Sequence, residues 1–271
     1  MPDNAFAGRV TGGGGEWFAG VADDQGVLWR DGRLVMAGIA FDLTTELLAV
    51  NGNGLAVGDV LGADGRQHAV RYDNRYAYLP ESRGSSVAMD VNGRGDIVGY
   101  DGAALVVWSG TSTRFLDLPT GSIAYGRPAI DDDGTVVART GWIDGGRLRS
   151  QVFAWAPDGA RTPIPFGEVA AVRRGRVVGT AGELVAIGWH DGETRVYRGG
   201  ARALAVNDAG VVVGTGPDGK PMVWDGTNPV SLTAPPGYYP GPATAINNRD
   251  AGGFVSPDDD LGTLPVRWHC R

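Results

Sequence analysis

The stretch AVNDAGVVVG, residues 205–214, decides the fold of this chain, and Trp224 follows it ten residues later. An apolar run, an Asn-Asp-Ala-Gly turn and a valine-rich run that closes on glycine are typical of a β-hairpin, and the tryptophan ends a third strand. We expect four strands in this copy, over residues 202–207, 211–214, 221–224 and 229–232. No segment of the chain carries a helical period of useful length.

The same pattern recurs along the whole chain in seven copies. With 271 residues, the period is about 39 residues, which is in the range of propeller blades. Each copy has a turn residue, usually Asn, and a later aromatic residue that we expect in the core of a sheet. The turn residues are Thr11, Asn51, Asn92, Asp131, Arg173, Asn207 and Asn247, and the aromatic residues are Trp29, Tyr72, Trp108, Trp155, Trp189, Trp224 and Trp268.

Seven four-stranded sheets repeated around an axis form a β-propeller, which protects its sheet edges by circular repetition. The sequence therefore predicts an all-β, seven-bladed β-propeller of four-stranded antiparallel blades, as one domain over residues 1–271. Only three residues follow Trp268, so we expect the last blade to be incomplete. Residues 2–6 leave room for at most a short closing strand.

The pattern Ala-(Ile/Val)-Asn-x-x-Gly-x-Val-Val-Gly, followed by an apolar strand that ends in Trp, resembles the HAF-type repeat of bacterial propellers. The resemblance covers nearly the whole chain, implies the propeller architecture and carries no catalytic motif. Asp131 and Arg173 depart from the Asn of the repeat, and Thr11 replaces it in the first copy, where a glycine-rich turn follows.

Composition excludes several classes of partner and cofactor. The net charge of -7 argues against nucleic acid and anionic membranes, which favour basic patches. The single cysteine, Cys270, excludes an intrachain disulfide and a cysteine metal cluster, and the three histidines are scattered. No basic segment with an apolar core opens the chain, and no apolar run reaches membrane-spanning length. We expect a cytoplasmic monomer that needs no metal or cofactor.

The first strand of each copy places small residues two positions before the turn, as expected where sheets converge on an axis. Arg9 and Asp90 are the charged exceptions in this slot. A charge there is costly unless it is paired or faces a water-filled channel. Both residues are therefore candidates for contact with a ligand in the channel.

Charged residues also recur five positions before the turn, where Glu46, Glu168 and Arg202 are expected at one height on the upper rim. With Arg127, they suggest an acid/base and charge-stabilising set that faces a substrate. His68 is the histidine expected on this rim, as a general base. We take Glu46, His68, Arg127 and Glu168 as candidate catalytic residues. The alternative is that these residues form arginine–carboxylate pairs that lock neighbouring blades.

Aromatic residues outside the repeat position are expected in the upper loops and suggest contacts to a bulky apolar substrate. Trp142 lies in the longest predicted loop between a second and a third strand, where it is either a lid or a loop anchor. The candidate substrate-binding residues are Arg9, Asp90, Tyr100, Tyr125, Trp142, Arg202 and Tyr239.

Two classes of function fit this sequence. The first is a cofactor-independent cyclase, lyase or isomerase that acts on a bulky, mostly apolar small molecule of natural-product biosynthesis. The second is a non-catalytic propeller that binds a protein or a glycan. A deep pocket lined by Tyr125, Trp142 and Tyr239 would favour the enzyme, and a flat rim or a polar channel would favour the binding protein. For the enzyme, Arg127→Ala or Glu168→Ala is expected to abolish activity and leave the melting temperature nearly unchanged.

Overall fold

The computed structural model describes residues 7–37, 44–81, 83–182, 185–226, 228–257 and 262–269. These residues form seven antiparallel sheets arranged in a ring, with neighbouring strands connected in sequence. The all-β, seven-bladed propeller is confirmed, and so is the incomplete last blade, which has three strands among the described residues. No helix that is long and apolar enough to cross a membrane occurs in the described ranges.

The blades follow one another along the chain. Blade 1 contains β1 (Gly8–Gly14), β2 (Trp17–Ala22), β3 (Gln25–Arg30) and β4 (Arg33–Ala37); blade 2 contains β5 (Thr45–Val50), β6 (Ala56–Leu61), β7 (Gln67–Tyr72) and β8 (Tyr76–Tyr78); blade 3 contains β9 (Ser86–Val91), β10 (Ile97–Asp101), β11 (Ala104–Ser109) and β12 (Ser112–Phe115). Blade 4 contains β13 (Ile123–Ile130), β14 (Val136–Asp144), β15 (Arg147–Trp155) and β16 (Arg161–Ile164); blade 5 contains β17 (Glu168–Arg173), β18 (Arg176–Ala181), β19 (Val185–His190) and β20 (Glu193–Val196). Blade 6 contains β21 (Arg202–Val206), β22 (Val212–Thr215), β23 (Pro221–Asp225) and β24 (Asn228–Ser231), and blade 7 contains β25 (Tyr238–Ile246), β26 (Asp250–Pro257) and β27 (Leu264–His269).

The first strand of each blade lies nearest the axis. We call the side where these strands begin the upper face, and the side where they turn into the second strands the lower face. The register between the first two strands shifts once in blades 1 to 6, for example between Leu47 and Ala49 in blade 2 and between Ala203 and Ala205 in blade 6, and it shifts twice in blade 7. Such bulges bend a strand and redirect its side chains.

The core lies between blades, where the repeat tryptophans pack against the preceding sheet. Trp108 packs in one cluster with Ala49 and Val57 of blade 2, and its Nε1 donates to the carbonyl oxygen of Pro80 at 2.7 Å. The Nε1 atoms of Trp155, Trp224 and Trp268 likewise each donate to a backbone carbonyl oxygen in the segment that precedes their own blade. These bonds satisfy the one polar atom of a large buried ring.

Trp189 departs from the six tryptophans predicted as equal core residues, because it is only partly buried. The segment before its blade has three residues, 165–167, compared with seven between β12 and β13. Phe166 from this short segment packs over Gly179, with its Cδ1 3.0 Å from an ideal Cβ at that glycine. In blade 3 the Trp108 ring fills the matching place over Gly99.

The predicted register of blade 1 is wrong. Thr11 lies inside β1 and the chain turns after Gly14, so Gly14 rather than Thr11 occupies the place of Asn51. Arg9 consequently matches Glu46 and is not an exception in the small-residue slot. The glycine run explains the difference, because an ideal Cβ on Gly12 would lie 2.7 Å from Ala49 Cα and one on Gly13 would lie 2.7 Å from Ile246 O.

The ring closes by packing of β1 against all three strands of blade 7. Asn248 N donates to Gly15 O at 3.0 Å across this junction, and Gly8 N donates to Thr263 O. Residues 2–6, which leave room for at most a short closing strand, lie outside the described residues.

Candidate functional site

Arg127 lies at the centre of the ring, on the first strand of blade 4. The bulge between Tyr125 and Ala129 directs its side chain toward the axis. The guanidinium donates to Leu48 O at 2.6 Å, Thr11 O at 3.3 Å and Met89 O at 3.4 Å. Burial lowers the pKa of Arg127, while the charge of Asp90 raises it. These contacts bridge blades 1, 2 and 3 and leave a cavity of about 40 Å³ at this level of the axis.

Asp90 is buried beside Arg127 in the hub. Its Oδ2 accepts from Ile130 N at 3.0 Å, and its Oδ1 lies 3.8 Å from Nη2 of Arg173. Arg173 also donates to Ile130 O at 3.3 Å. Asp90 thus carries a charge at a position where most blades have a small residue. That charge is paired with Arg173, which replaces the repeat Asn of blade 5.

The remaining charged candidates form two pairs on the upper face. Arg9 Nη2 lies 3.0 Å from Glu46 Oε1 and joins blade 1 to blade 2. Arg202 Nη2 lies 3.4 Å from Glu168 Oε2 and joins blade 5 to blade 6. Each side chain is roughly half-exposed, and such ion pairs contribute little stability. The pairs have the geometry of the predicted alternative, in which arginine and carboxylate link neighbouring blades.

His68 lies on blade 2 in a network of its own. Its Nε2 is 3.0 Å from Asp64 Oδ1, and its Nδ1 is 3.0 Å from Glu81 Oε1. Ser86 Oγ donates to the other oxygen of Glu81 at 2.7 Å. The hydrogen bond to Asp64 raises the pKa of His68, burial lowers it, and Glu81 raises it again. His68 therefore connects the β6–β7 turn to the segment that leads into blade 3.

The aromatic candidates lie on three different blades. Tyr100 is partly buried between blades 3 and 4, where its Oη donates to Gly126 O at 3.1 Å and burial raises its pKa. Tyr239 is exposed on blade 7. Tyr125 and Trp142 belong to blade 4. None of the four lines the larger cavity on the axis, which lies on the lower face and has a volume of about 350 Å³.

That lower cavity is walled by the turns of the repeat. Asn51 Nδ2 donates to Asn92 O at 2.9 Å, Asn92 Nδ2 donates to Asp131 O at 2.9 Å, and Asn207 Nδ2 donates to Asn247 O at 3.0 Å. Each of these Asn side chains also accepts, through Oδ1, two amides of its own turn. We call this arrangement the asparagine belt. It places polar turns around the lower mouth of the channel.

The belt reverses its direction at the junction of blades 4 and 5. Asp131 has no amide to donate, and its carboxylate instead accepts from the backbone amides of Arg174 and Gly175 in blade 5. The two departures from the repeat Asn, Asp131 and Arg173, thus lie at the same junction, where Asp131 accepts from the two amides that follow Arg173. Sequence reasoning identified both departures but not their connection, because the partners lie about forty residues apart.

Asp59 is a titratable residue that sequence reasoning missed. It lies buried on β6 opposite Glu46 of β5, and its Oδ2 accepts from Gln67 Nε2 at 3.0 Å. Burial raises the pKa of Asp59 to about 6, the Gln67 hydrogen bond lowers it, and the charge of Glu46 raises it. An Asp within a strand of a repeat carries no sequence signal of burial.

The β14–β15 hairpin corrects the prediction that Trp142 lies in a loop. Both strands have nine residues, and only Gly145 and Gly146, each with positive φ, form the turn. Continuous pairing from Val136 with Trp155 to Asp144 with Arg147 satisfies the backbone that a loop would expose. The partly buried Trp142 is paired with Arg149 on one face of this hairpin.

The other face of the hairpin carries an exposed apolar surface. Ile123 is 59% exposed, Ile143 is 69% exposed and Leu148 is 64% exposed. Ile143 pairs with Leu148, and Ile123 pairs with Gly141. An ideal Cβ at Gly141 would lie 2.7 Å from Tyr125 Cε1 and 3.3 Å from Leu148 Cδ1, so these side chains cover the glycine and make the surface continuous. We call Ile123, Tyr125, Ile143 and Leu148 the blade-4 patch.

Arg139 borders the blade-4 patch, and Arg147 and Arg149 lie on the opposite face of the same hairpin. Arg139 Cζ lies 4.8 Å from the centre of the Tyr125 ring, and its Nη2 donates to Ser150 Oγ at 3.0 Å. Arg147 and Arg149 are exposed on β15, and Arg149 Nε lies 3.6 Å from Asp144 Oδ2. The hairpin therefore carries the apolar side chains on one face and arginine side chains on both faces.

Comparison with known proteins shows the fold. No protein-family model matches the chain, and no curated protein matches it. The chain is similar to the β-propeller domain of the Trilobed protease from Pyrococcus furiosus, described as having an open velcro topology, with 13% identity, coverage of 95% of this chain and 93% of that chain, and a TM-score of 0.64. Likeness at this identity shows the propeller fold alone. The resemblance to HAF-type repeats stays a prediction.

Two further solved structures are similar to this chain with lower TM-scores. Hsv2 from Kluyveromyces lactis is 11% identical, with coverage of 97% of this chain and 99% of that chain and a TM-score of 0.46. The Aleuria aurantia lectin in complex with alpha-methyl-L-fucoside is 14% identical, with coverage of 79% and 87% and a TM-score of 0.37. At these scores neither likeness bears on the function of this chain.

Proposed function

We propose that this chain is a non-catalytic interaction propeller that binds an acidic partner protein through the blade-4 patch. The observation that carries the proposal is the exposed apolar surface of Ile123, Ile143 and Leu148, which the partly buried Tyr125 makes continuous across β13 and the projecting β14–β15 hairpin. Exposed contiguous apolar surface bordered by polar residues marks interaction sites. Its rigidity comes from the paired backbone of β14 and β15.

Charge supports an acidic partner. Residues 139–149 contain three arginines and one aspartate, within a chain of net charge -7. Positive charge on a hairpin that also carries an apolar surface is complementary to a partner that presents carboxylates beside an apolar surface. Arginine and aromatic residues are also enriched among the residues that contribute most to protein–protein affinity.

The geometry gives less support to the cyclase, lyase or isomerase prediction. Glu46 and Glu168 each pair with an arginine, Arg127 contacts backbone carbonyls in the hub, and His68 lies in a separate network. The expected pocket lined by Tyr125, Trp142 and Tyr239 coincides with neither axial cavity. The polar turns around the lower mouth of the channel favour a binding protein over an enzyme with a deep aromatic pocket.

Site-specific crosslinking tests this proposal. A photo-reactive amino acid replaces Ile143 in one variant and Val230, which is 58% exposed on β24, in the control. We expect crosslinking in a lysate of the source organism to capture a partner from position 143 and not from position 230. The partner is then purified, and its affinity is measured for the wild type and three variants: Ile143→Ser/Leu148→Ser, Arg147→Glu/Arg149→Glu and Val230→Ser.

We expect the two hairpin double variants to weaken binding at least roughly tenfold, with melting temperatures near that of the wild type, because these side chains are exposed. Val230→Ser should bind as the wild type does. Equal capture from both positions, capture from neither, or a partner that binds Ile143→Ser/Leu148→Ser at wild-type affinity would overturn the proposal. Crosslinking to a second copy of this chain would overturn the proposal of an acidic partner protein and would show that the patch forms a homodimer.

A further inference from the structure

A cavity of about 400 Å³ opens on blade 5, away from the axis and from the blade-4 patch. We call it the blade-5 cavity. It is lined by Arg176, Gly188, Trp189, His190, Asp191, Glu193, Thr194, Arg195 and Tyr197. Its residues come from β18, β19, β20 and the segment that leads into blade 6.

Gly188 creates the space for this cavity. It occupies the position directly before the repeat aromatic residue, where the other blades carry Leu28, Arg71, Val107, Ala154, Val223 and Arg267. An ideal Cβ at Gly188 would lie 2.6 Å from Tyr197 Oη, so a larger residue would displace the tyrosine. The Tyr197 ring is held by Trp224 of blade 6, with 5.7 Å between ring centres.

Two arginines converge on this space. Arg195 pairs directly with Gly188 across the β19–β20 ladder. The Arg176 guanidinium packs against the positive-φ Gly210 in the turn of blade 6, where any side chain would collide with it. Burial raises the pKa of Tyr197, while Arg176 and Arg195 both act to lower it, which places both charges within electrostatic reach of its hydroxyl.

Neither arginine has a carboxylate partner within the described part of the chain, although six other arginine–carboxylate pairs are formed by described residues between 90 and 269. Of the two acids in the lining, Asp191 lies 3.3 Å from His190 Nε2. Glu193 is paired with His190 in the strand register and forms no ion pair in the described ranges. The cavity therefore offers two guanidiniums, a phenol and one carboxylate.

We propose that the blade-5 cavity binds a small molecule whose phosphate or carboxylate group is held by Arg176, Arg195 and the Tyr197 hydroxyl, and whose hydroxyl or ammonium group contacts Glu193. Guanidinium groups bind such oxyanions through paired charge-assisted hydrogen bonds. The packing of Arg176 on Gly210 and of Tyr197 on Trp224 fixes these donors before the ligand arrives, which reduces the entropy cost of binding. The inference is independent of the blade-4 patch.

Isothermal titration calorimetry at low ionic strength tests the proposal with three probes: inorganic phosphate, acetate and phosphoethanolamine. We expect saturable binding of phosphate or acetate, and their comparison tells which oxyanion the cavity prefers. Arg176→Gln and Arg195→Gln should each weaken binding roughly tenfold or more, because each removes charged hydrogen bonds. The control Arg33→Gln changes an exposed arginine on blade 1 and should leave binding unchanged.

Phosphoethanolamine adds an ammonium group to the phosphate. We expect it to bind more tightly than inorganic phosphate, and Glu193→Gln should remove that advantage without weakening inorganic phosphate. No saturable binding of any probe, or equal binding by wild type, Arg176→Gln and Arg195→Gln, would overturn the oxyanion site. Circular dichroism of each variant excludes loss of fold as the cause. Failure here leaves the crosslinking result at Ile143 unaffected.

Discussion

Asp59 shows how a single buried carboxyl group affects this fold. It lies opposite Glu46 on β5 and Ala69 on β7, in the interior of blade 2. Burial raises its pKa from 3.8 to about 6, because the charged form loses solvation. A group whose pKa is higher in the folded state contributes stability below the pKa of the unfolded chain and loses it as pH rises through the folded value.

We therefore predict that Asp59→Asn stabilises the protein at pH 7.5 by about 2–3 kcal/mol and changes its stability little at pH 3.5. The asparagine can still accept from Gln67. Urea denaturation at pH values from 3.5 to 7.5 measures the difference, which should grow between pH 3.8 and about 6. Asp225→Asn, at the exposed end of β23, is the control and should show no such dependence. A constant difference at all pH values would contradict the assignment.

At the scale of the element, the asparagine belt explains why the repeat keeps Asn at the hairpin between first and second strands. One amide side chain serves two blades: Oδ1 accepts the amides of its own turn, and Nδ2 donates to the next blade. Asp could do only the first of these, and blade 5 adapts to Asp131 by presenting backbone amides. The turn is thus both a local structure and a junction between sheets.

Asn92→Ala is predicted to destabilise the protein by about 2 kcal/mol or more, because it leaves Asp131 O and two turn amides without their partner. Asn228→Ala, at an exposed position on β24, should cost less than about 0.5 kcal/mol. Thermal unfolding followed by circular dichroism compares the two variants. Equal losses would show that the belt contributes no more than a surface residue.

At the scale of the whole molecule, Arg127 connects blades that are far apart in sequence. Its partners Thr11, Leu48 and Met89 occupy the same position, three residues before the turn, in blades 1, 2 and 3. One side chain therefore ties blade 4 to three other blades at the hub. A buried carbonyl oxygen that loses a charged hydrogen-bond donor lowers the free energy of unfolding.

Arg127→Met is predicted to reduce the free energy of unfolding by about 2–5 kcal/mol, which reverses the expectation that substitution at this position spares stability. Arg202→Met removes the half-exposed pair with Glu168 and should cost less than about 1 kcal/mol. Urea denaturation of both variants supplies the comparison. If Arg127→Met were no less stable than Arg202→Met, the hub contacts would not hold the ring together.

The seven blades, the four strands of blade 6 and the incomplete last blade could be predicted from the sequence alone. The four strands expected in the sixth copy agree with β21 to β24 within two residues at each end. These features are predictable because hydrophobic alternation and turn residues act over a few positions, and repetition adds the same signal seven times. The repeat pattern did not predict the strand register of blade 1, because glycine residues stand there in place of the turn Asn.

The tertiary structure decided which residues meet. Arg127 contacts carbonyls up to 116 positions away, Phe166 takes the place of a tryptophan ring over Gly179, and the blade-4 patch forms only when β13, β14 and β15 align. Each of these depends on contacts between residues that are distant in sequence, and no local pattern encodes how separate strands and sheets pack. The candidate sites therefore depend on the packing of strands and blades, because the repeat specifies each blade while the ring specifies its neighbours.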